Sequence, residues 1–312
     1  MEYRMNKKLI IDIIMQSRGD ARYHQCAQQY CPNCINKIIT PIERAIVNQQ
    51  PIHFILPAFP AKSANPDKTL SHLPDIGERL ALQHLKHLLK QISTVYLPGA
   101  RMTICSDGRV FNDIVGVADE AVTAYVIALK AMVAELGADD IDFFDLADKW
   151  PTHDFAQMRQ ELTEYYAQPI EEIKLLVKKN QNEQLLFNGL HRFLYEDYIF
   201  LVKQLSKNQI RKIAHQHTYQ LIQRSHAWSA LIKSHYPNSI RLSIHPQTCK
   251  SDKLAFQLVE GNQRWATPWH NVVVMNEGKI QLMKNYEAKQ LNTRLISHNN
   301  QPSHYELLGE AS

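Results

Sequence analysis

The sequence predicts an α/β fold in which a Rossmann-like, partly parallel sheet is flanked by helices and followed by a helical middle segment and a C-terminal antiparallel β region. The first observation is three short apolar runs, at residues 52–57, 101–106 and 141–146, separated by two segments with apolar side chains at helical spacing. This β-α-β-α-β order favours parallel strands joined by right-handed crossovers. The second observation is the alternation of apolar and polar residues from Ser239 onward, which is typical of antiparallel strands.

We expect a single domain, 1–312, made of four consecutive segments. They are a helical N-terminal segment (1–50), the βαβαβ core (51–150), a helical segment (151–235) and a C-terminal β region (236–312). A chain of this size buries roughly three quarters of its unfolded surface, so it needs no disulfide or metal to be stable.

Helix signals delimit the elements of the core. Apolar residues recur at three- and four-residue spacings from Ile76 onward, which predicts the first crossover helix. The second should begin near Asp119, a good N-cap residue, and end at Gly137, a good residue just after a helix. Long loops remain at 57–75 and 106–119, and both leave the carboxyl ends of predicted strands. Ligands bind at that edge of open α/β sheets, so we expect the functional site there.

The C-terminal region shows strand signals. Apolar and polar residues alternate in SIRLSIHP (239–246), so Arg241, Ser243 and His245 should share one face of a strand. An Asn-Glu-Gly turn between two later apolar runs predicts a hairpin. The polar tail beyond Asn285 is expected to be loosely held.

The composition suits a cytoplasmic globular protein that binds a small anion. Of the 312 residues, 45% are hydrophobic and 21% are charged, and the net charge is +4. The positive charges form no basic stripe interleaved with aromatic residues, which argues against nucleic acid as a partner. No apolar stretch approaches the roughly 18 residues that span a bilayer, so no membrane association is expected. The N-terminal apolar run is broken by Asp12 and lacks a cleavage site, so we expect no signal peptide.

Charged residues in the two long loops are candidates for binding and catalysis. The first loop contains Lys62, Ser63 and Lys68. A lysine at a strand end can neutralise a phosphate or, when desolvated, attack a carbonyl as a free amine. The alternative is two solvated loop lysines.

The second loop combines Ser106, Asp107, Arg109 and Asp113. Arginine offers a planar fork for a carboxylate or phosphate, and an aspartate can take a proton from an amine. The alternative is an ordinary loop with an Asp-Gly turn and a capping aspartate.

A third group of candidates lies in the C-terminal region, where Arg241 and His245 precede Thr267, Trp269 and His270. An imidazole titrates near neutral pH and can both donate and accept protons. The alternative is a hydrated face of an antiparallel sheet.

The sequence gives little support for a metal or cofactor. Cys26, Cys31 and Cys34 have the C-x₄-C-x₂-C spacing of a plant-type iron–sulfur loop. The remaining cysteines, Cys105 and Cys249, lie far away in the sequence, in or beside strands, so we expect buried or incidental thiols and no metal. The odd count of five favours reduced thiols. Dinucleotide, ATP, zinc-protease and α/β-hydrolase motifs are all absent.

Two blocks of sequence are specific enough to indicate a family. LPAFPAKSANPDKTLSHLPDIGE (56–78), followed by YLPGARMTICSDGRVFNDIVGVAD (96–119), closely resembles the pyoverdine/dityrosine biosynthesis family, whose bacterial members are PvcA-type isonitrile synthases. RLSIHPQ, the following Lys253 and TPWHNVVV match the same family. RSHAW (224–228) departs from it, because a glycine is expected after the arginine, which leaves the role of this helix open.

The resemblance implies an enzyme that joins the α-amine of an aromatic L-amino acid, tyrosine or tryptophan, to the ketone carbon of ribulose 5-phosphate. That carbon becomes the isonitrile carbon. The resemblance also implies that no cofactor takes part and that a downstream oxygenase receives the product. Two alternatives stay open: an enzyme of the dityrosine branch with an N-formyl-type product, and a non-catalytic protein that binds a phosphosugar or an amino acid.

The same resemblance assigns roles to the candidate residues. The catalytic candidates are Lys62, Asp107, Asp113, His245 and His270. The substrate-binding candidates are Ser63, Lys68, Ser106, Arg109, Arg241, Thr267 and Trp269. An apolar wall for an aromatic substrate could come from Phe59, Phe111 and Trp269.

Overall fold

The structure is a computed structural model that describes residues 2–18, 31–259, 266–298 and 300–308. Within these ranges the α-helices are α1 (Glu2–Gln16), α2 (Pro32–Val47), α3 (Ile76–Val95), α4 (Gly108–Val115), α5 (Asp119–Glu135), α6 (Leu146–Lys149), α7 (Phe155–Tyr166), α8 (Ile170–Lys179), α9 (Gln181–Leu201), α10 (Lys207–His235) and α11 (Asn285–Gln290). The strands are β1 (Ile52–Pro57), β2 (Ala100–Cys105), β3 (Ile141–Phe144), β4 (Ile240–Ser243), β5 (Leu254–Ala255), β6 (Val272–Asn276), β7 (Lys279–Met283), β8 (Thr293–His298) and β9 (Gln301–Leu307). None of the helices in these ranges has the length and apolar character needed to cross a membrane.

A five-stranded parallel sheet forms the centre of the protein, in the order β3-β2-β1-β4-β5. Its middle strand, β1, is buried on both faces, with Phe54, Ile55 and Leu56 fully inaccessible to solvent. Such a strand shows a continuous apolar run because helices cover both sides of a parallel sheet. The predicted α/β class and the βαβαβ core are confirmed.

The position of β4 and β5 corrects the sequence-based prediction. Both strands were expected in the C-terminal antiparallel region, but they extend the central sheet in parallel orientation, with β4 next to β1. The shared polar face is also wrong, because β4 ends at Ser243, which is buried, and His245 lies beyond the strand. The consequence is that Arg241 and His245 lie on or just after a strand of the central sheet and not on a second sheet.

The C-terminal sheet is mixed, in the order β7-β6-β9-β8. β6 and β7 form the predicted hairpin, and its two turn residues, Glu277 and Gly278, have φ values of 48° and 78°, as a type I′ turn requires. The expected loose tail beyond Asn285 is wrong. That segment forms α11, β8 and β9, and the buried Tyr305 hydroxyl donates to Asn285 Oδ1 at 2.9 Å.

The second long loop is mostly helical, because residues 108–115 form α4. Asp119 is the first residue of α5 and not its N-cap; its carboxylate instead accepts hydrogen bonds from Asn112 and Arg159. The end of α5 agrees with the prediction, since Gly137 follows it with φ of 57°. α4 begins in close contact with the first loop: a Cβ atom on Gly108 would lie 1.9 Å from the carbonyl oxygen of Pro60.

We therefore expect Gly108→Ala to lower the free energy of unfolding by about 1–3 kcal/mol or more, because the added methyl group meets backbone that cannot rotate away. Gly189→Ala on α9 is the matched control, since its Cβ would have no neighbour within 4 Å. The control should raise the free energy of unfolding by roughly 0.5–1 kcal/mol. Urea denaturation of the two variants measures both values, and equal stability would contradict the tight contact between α4 and the first loop.

Candidate active site

The candidate site lies at the carboxyl edge of the central sheet, where the first loop, α4 and the segment after β4 meet a 3₁₀ turn at Pro268–His270. The turn is fixed to the first loop by two hydrogen bonds. Ser63 N donates to Trp269 O at 2.9 Å, and Lys62 Nζ donates to Pro268 O at 3.0 Å. The rings of Phe59 and Trp269 pack together, with centroids 5.2 Å apart.

Lys62 is the centre of a buried ion group. Its side chain has no accessible surface, and Nζ lies 2.8 Å from Asp75 Oδ2 and 2.9 Å from Glu78 Oε2. The two carboxylates are together because Asp75 caps α3 and Glu78 completes the capping box. Tyr125 on α5 donates to Glu78 Oε1 at 3.1 Å. These contacts connect the first loop, α3, α5 and the 3₁₀ turn.

The charge state of this group follows from its surroundings. Burial would lower the pKa of Lys62, but the carboxylates of Asp75 and Glu78 outweigh it and raise that pKa. Burial, followed by the neighbouring Asp75, raises the pKa of Glu78 to about 7, although Lys62 opposes the shift. Lys62 is therefore a fully partnered ammonium group. The role of a free amine that attacks a carbonyl does not fit this geometry.

A second group of cations lies beside the 3₁₀ turn. Lys68 Nζ is 2.6 Å from Asp197 Oδ1 on α9 and 4.2 Å from the centroid of the Phe193 ring. Lys284, just before α11, donates to the carbonyl oxygen of His270 at 2.7 Å. The imidazole of His270 packs edge-on against Phe193, with 4.8 Å between ring centroids. We call Lys68, Lys284 and His270 the cation cluster.

The electrostatic balance of the cation cluster includes carboxylates, because Asp197 and Glu196 lie near Lys68. Burial lowers the pKa of His270 well below its ordinary value, and the charges of Lys284, Lys68, His245 and Lys62 lower it further. Burial and the charge of Lys68 lower the pKa of Lys284 to about 8, although Asp197, Glu196 and Glu287 oppose the shift. His270 Nδ1 is buried and has no hydrogen-bond partner among the described residues. An anion bound here would relieve the repulsion and gain charge-assisted hydrogen bonds.

His245 lies close enough to the cation cluster to lower the pKa of His270. Its own side chain retains exposed surface, yet desolvation by the surrounding protein and the charge of Lys253 lower its pKa. Its backbone N–H donates to Ser243 Oγ at 3.2 Å, which fixes the chain as it leaves β4. Both predicted histidines are thus brought to one edge of the sheet.

Asp107 is the carboxylate best suited to proton transfer. Burial raises its pKa to about 7, and its Oδ1 has no hydrogen-bond partner among the described residues. The neighbouring Ser106 has a structural role: its hydroxyl donates to Phe59 O at 3.0 Å and so holds the first loop against β2. Thr267 is half-buried, and its carbonyl oxygen accepts from the backbone N–H of His270.

Arg109 is held by other contacts. Its guanidinium group donates to Thr123 Oγ1 at 3.0 Å, lies 3.6 Å from Asp145 Oδ2 and stacks 3.8 Å from the centroid of the Phe155 ring. It also pairs with Asp119 at 3.9 Å. These partners belong to α5, α7 and the end of β3, so Arg109 fixes α4 to those elements.

Asp113 and Arg241 are likewise engaged by helices. Asp113 accepts from Arg224 at 2.6 Å, beside a surface cavity of about 440 Å³. This contact gives Arg224 on α10 a role, which the departure from the family pattern had left open. Arg241 pairs with Asp252 and donates to Ser229 Oγ at 2.7 Å. The third aromatic candidate, Phe111, packs against the apolar side chains of α9 and α10.

Sequence reasoning missed several polar residues that hold the site together: Asp75, Glu78, Tyr125, Asp197 and Lys284. The capping-box spacing D-x-x-E ahead of an apolar run was a usable signal for the first two. No local pattern marks the other three, because each meets its partner only through the tertiary fold.

The family described as pyoverdine/dityrosine biosynthesis protein matches residues 42–296. The chain belongs to this family. L-tryptophan isonitrile synthase AmbI2 from Fischerella ambigua is 45% identical over 280 residues, which cover 90% of this chain and 85% of that protein. L-tyrosine isonitrile synthase from Pseudomonas aeruginosa is 43% identical over 267 residues, covering 84% and 81%.

A solved structure supports the same conclusion. The crystal structure of the PvcA protein from Pseudomonas aeruginosa matches with a TM-score of 0.87 at 39% identity, covering 96% of this chain and all of that chain (100%). The predicted family and fold are confirmed, and the chain is an enzyme of the isonitrile synthase type.

The buried ion group makes a stability prediction. Lys62→Met should lower the free energy of unfolding by about 3–5 kcal/mol, because two buried carboxylates lose their cation. The loss should shrink in acid, where protonation neutralises the carboxylates. Lys174→Met is the control, since the exposed pair of Lys174 with Glu171 contributes about 0–1 kcal/mol. Denaturation at neutral and acidic pH tests this, and a loss that is the same at both pH values would contradict the assigned charges.

Proposed function

We propose that this enzyme converts the α-amino group of an aromatic L-amino acid, tyrosine or tryptophan, to an isonitrile, with ribulose 5-phosphate as carbon donor. The cation cluster carries the proposal. Lys68, Lys284 and His270 bring two ammonium groups and an imidazole nitrogen without a hydrogen-bond partner among the described residues to the ligand-binding edge of the sheet. The relatives named above support an aromatic amino-acid substrate.

The two proposed substrates are complementary to this site. A sugar phosphate and an amino-acid carboxylate are both anions, and binding either beside Lys284 would stabilise its protonated state and raise its lowered pKa. The aromatic ring would pack on Phe59 and Trp269, which already contact each other. Phe193, packed against His270, extends the aromatic surface toward α9.

Asp107 is proposed as the general acid and base. When an amine and a ketone form an imine, the nitrogen loses protons, the oxygen gains them and one water leaves. A carboxyl group whose pKa lies near 7 can serve in both directions at neutral pH. His245, with a pKa lowered by burial and Lys253, is the second proton-transfer candidate.

The remaining candidate residues are proposed to position these groups. Lys62 and Ser63 fix the first loop to the 3₁₀ turn, and Ser106 fixes that loop to β2. Arg109, Asp113 and Arg241 hold α4 and β4 to the surrounding helices. We also propose that the enzyme acts in the cytoplasm, as the odd cysteine count favours, and passes its product to an oxygenase.

The activity is tested by incubating the purified enzyme with equal amounts of tyrosine and tryptophan and with ribulose 5-phosphate labelled with ¹³C at the ketone carbon. Mass spectrometry should show one amino acid converted to an isonitrile that carries the label. An N-formyl product, heavier by one water, would indicate the dityrosine-branch alternative. Binding of either substrate without any turnover would support the non-catalytic alternative.

The cation cluster predicts a pH dependence. Lys284→Gln should raise the KM for the sugar phosphate roughly tenfold to a hundredfold, because a charge-assisted hydrogen bond contributes about 1.5–3 kcal/mol. In the unsubstituted enzyme that KM should rise as pH passes about 8, where Lys284 loses its proton, and the variant should lack this limb.

The effect of Lys284 on stability has the opposite dependence on pH. In the folded chain Lys284 loses its proton near pH 8, whereas in the unfolded chain it keeps the proton up to its ordinary pKa of 10.5. The contribution of this group to the free energy of unfolding therefore rises with pH above about 8, while anion binding weakens. Lys289→Gln, on the exposed face of α11, is the control and should leave KM unchanged. Equal effects of the two substitutions would remove Lys284 from the binding site.

A further inference from the structure

Three cysteines that are remote in sequence meet between α2 and the segment after β4. The sulfur atoms of Cys31, Cys34 and Cys249 all lie within 4.8 Å of one another. Cys31 and Cys34 are buried, and Cys249 is half-buried. The expectation that Cys249 is too far away to join the N-terminal cysteines is therefore wrong, because the fold places β4 beside β1, against which α2 packs.

The sulfur separations suit a single bound ion. Cys249 Sγ lies 3.6 Å from Cys31 Sγ and 4.0 Å from Cys34 Sγ. Zinc–thiolate bonds are about 2.3 Å long, so two sulfurs of a tetrahedral zinc site lie about 3.8 Å apart. A disulfide would require a separation of about 2.05 Å. An iron–sulfur cluster distributes its cysteines over several irons and would spread these sulfurs further apart.

We propose that Cys31, Cys34 and Cys249 bind a structural zinc ion. Cys26, the first cysteine of the C-x₄-C-x₂-C pattern, lies outside the described residues. Three thiolates fill three positions of a tetrahedral zinc ion and leave the fourth open to a water molecule or a further ligand.

The surroundings favour the negative charge that such a site carries. Each thiol releases its proton to solvent when it binds zinc, so three thiolates and one Zn²⁺ leave an excess of one negative charge. Cys31 is the N-cap of α2, where the helix dipole stabilises negative charge. Lys37, six residues after Cys31 in α2, donates to the carbonyl oxygens of Thr248 and Lys253 at 3.0 and 3.1 Å.

The proposed zinc would tie α2 to the segment that follows β4. That segment leaves the sheet at Ser243, carries His245 and returns at Lys253, and its one-turn loop contains Cys249. The ion would therefore hold the backbone on which two residues of the active-site edge are placed. It takes no part in the proposed reaction, so its presence can be measured without reference to turnover.

The test is metal analysis of the purified full-length chain, prepared under reducing conditions with zinc in the medium. We expect about one zinc per chain. Cys249→Ser and Cys31→Ser should each lose most of it, whereas Cys105→Ser, at a buried cysteine on β2, should retain it. Replacing zinc by cobalt should give the thiolate charge-transfer and tetrahedral d–d bands.

A measurement on the unsubstituted chain guards against variants that do not fold. A chelator should lower Tm, and added zinc should restore it. The proposal is overturned if the reduced chain holds no zinc, if it holds iron instead, if mass analysis after alkylation shows a disulfide among these cysteines, or if Cys249→Ser retains full zinc. A zinc-loaded chain without isonitrile synthase activity would contradict the proposed function and leave the zinc site standing.

Discussion

The contact on which the active-site edge depends is the buried ion group around Lys62. Two carboxylates from one helix cap, a tyrosine hydroxyl from α5 and a carbonyl oxygen from the 3₁₀ turn all meet this ammonium group or its partners. Buried ions are costly unless they are paired and hydrogen-bonded, so the elements that supply Asp75, Glu78 and Tyr125 are constrained to one arrangement. A loop with no helix or strand of its own is thereby fixed to α3 and to the 3₁₀ turn.

Beside this ion group lies the cation cluster, whose charges are less completely paired. Lys62 has two carboxylates within 3 Å, whereas burial and Lys68 lower the pKa of Lys284 even though Asp197, Glu196 and Glu287 oppose the shift. The two groups lie at the same edge of the sheet but differ in role: the Lys62 group is structural, and the cation cluster belongs to the candidate site. Paired charges fix the backbone around Lys62, whereas the lowered pKa of Lys284 is the kind of perturbation that is common at binding sites.

Local patterns in the sequence predicted what local forces determine. The apolar runs of β1 to β3, the crossover helices and the hairpin at Gly278 were all visible, because hydrophobic periodicity and turn chemistry act over a few residues. The incorrect or missing predictions concern which strands pair and which residues contact each other. Alternation at Arg241 suggested an antiparallel strand, but the partner of a short strand is chosen by the fold. Asp197 and Lys284 likewise contact residues that are distant in sequence, so no local pattern predicts their roles.

The topology has a consequence for how such enzymes can diverge. Five helices, α6 to α10, lie between β3 and β4 in the sequence, yet β4 still pairs in parallel with β1. Phe193 and Asp197 lie on α9, one of these helices, and contact the cation cluster. Mutation on α9 can therefore change one wall of the candidate site while the strands, and Asp107 and His245 that follow β2 and β4, keep their places.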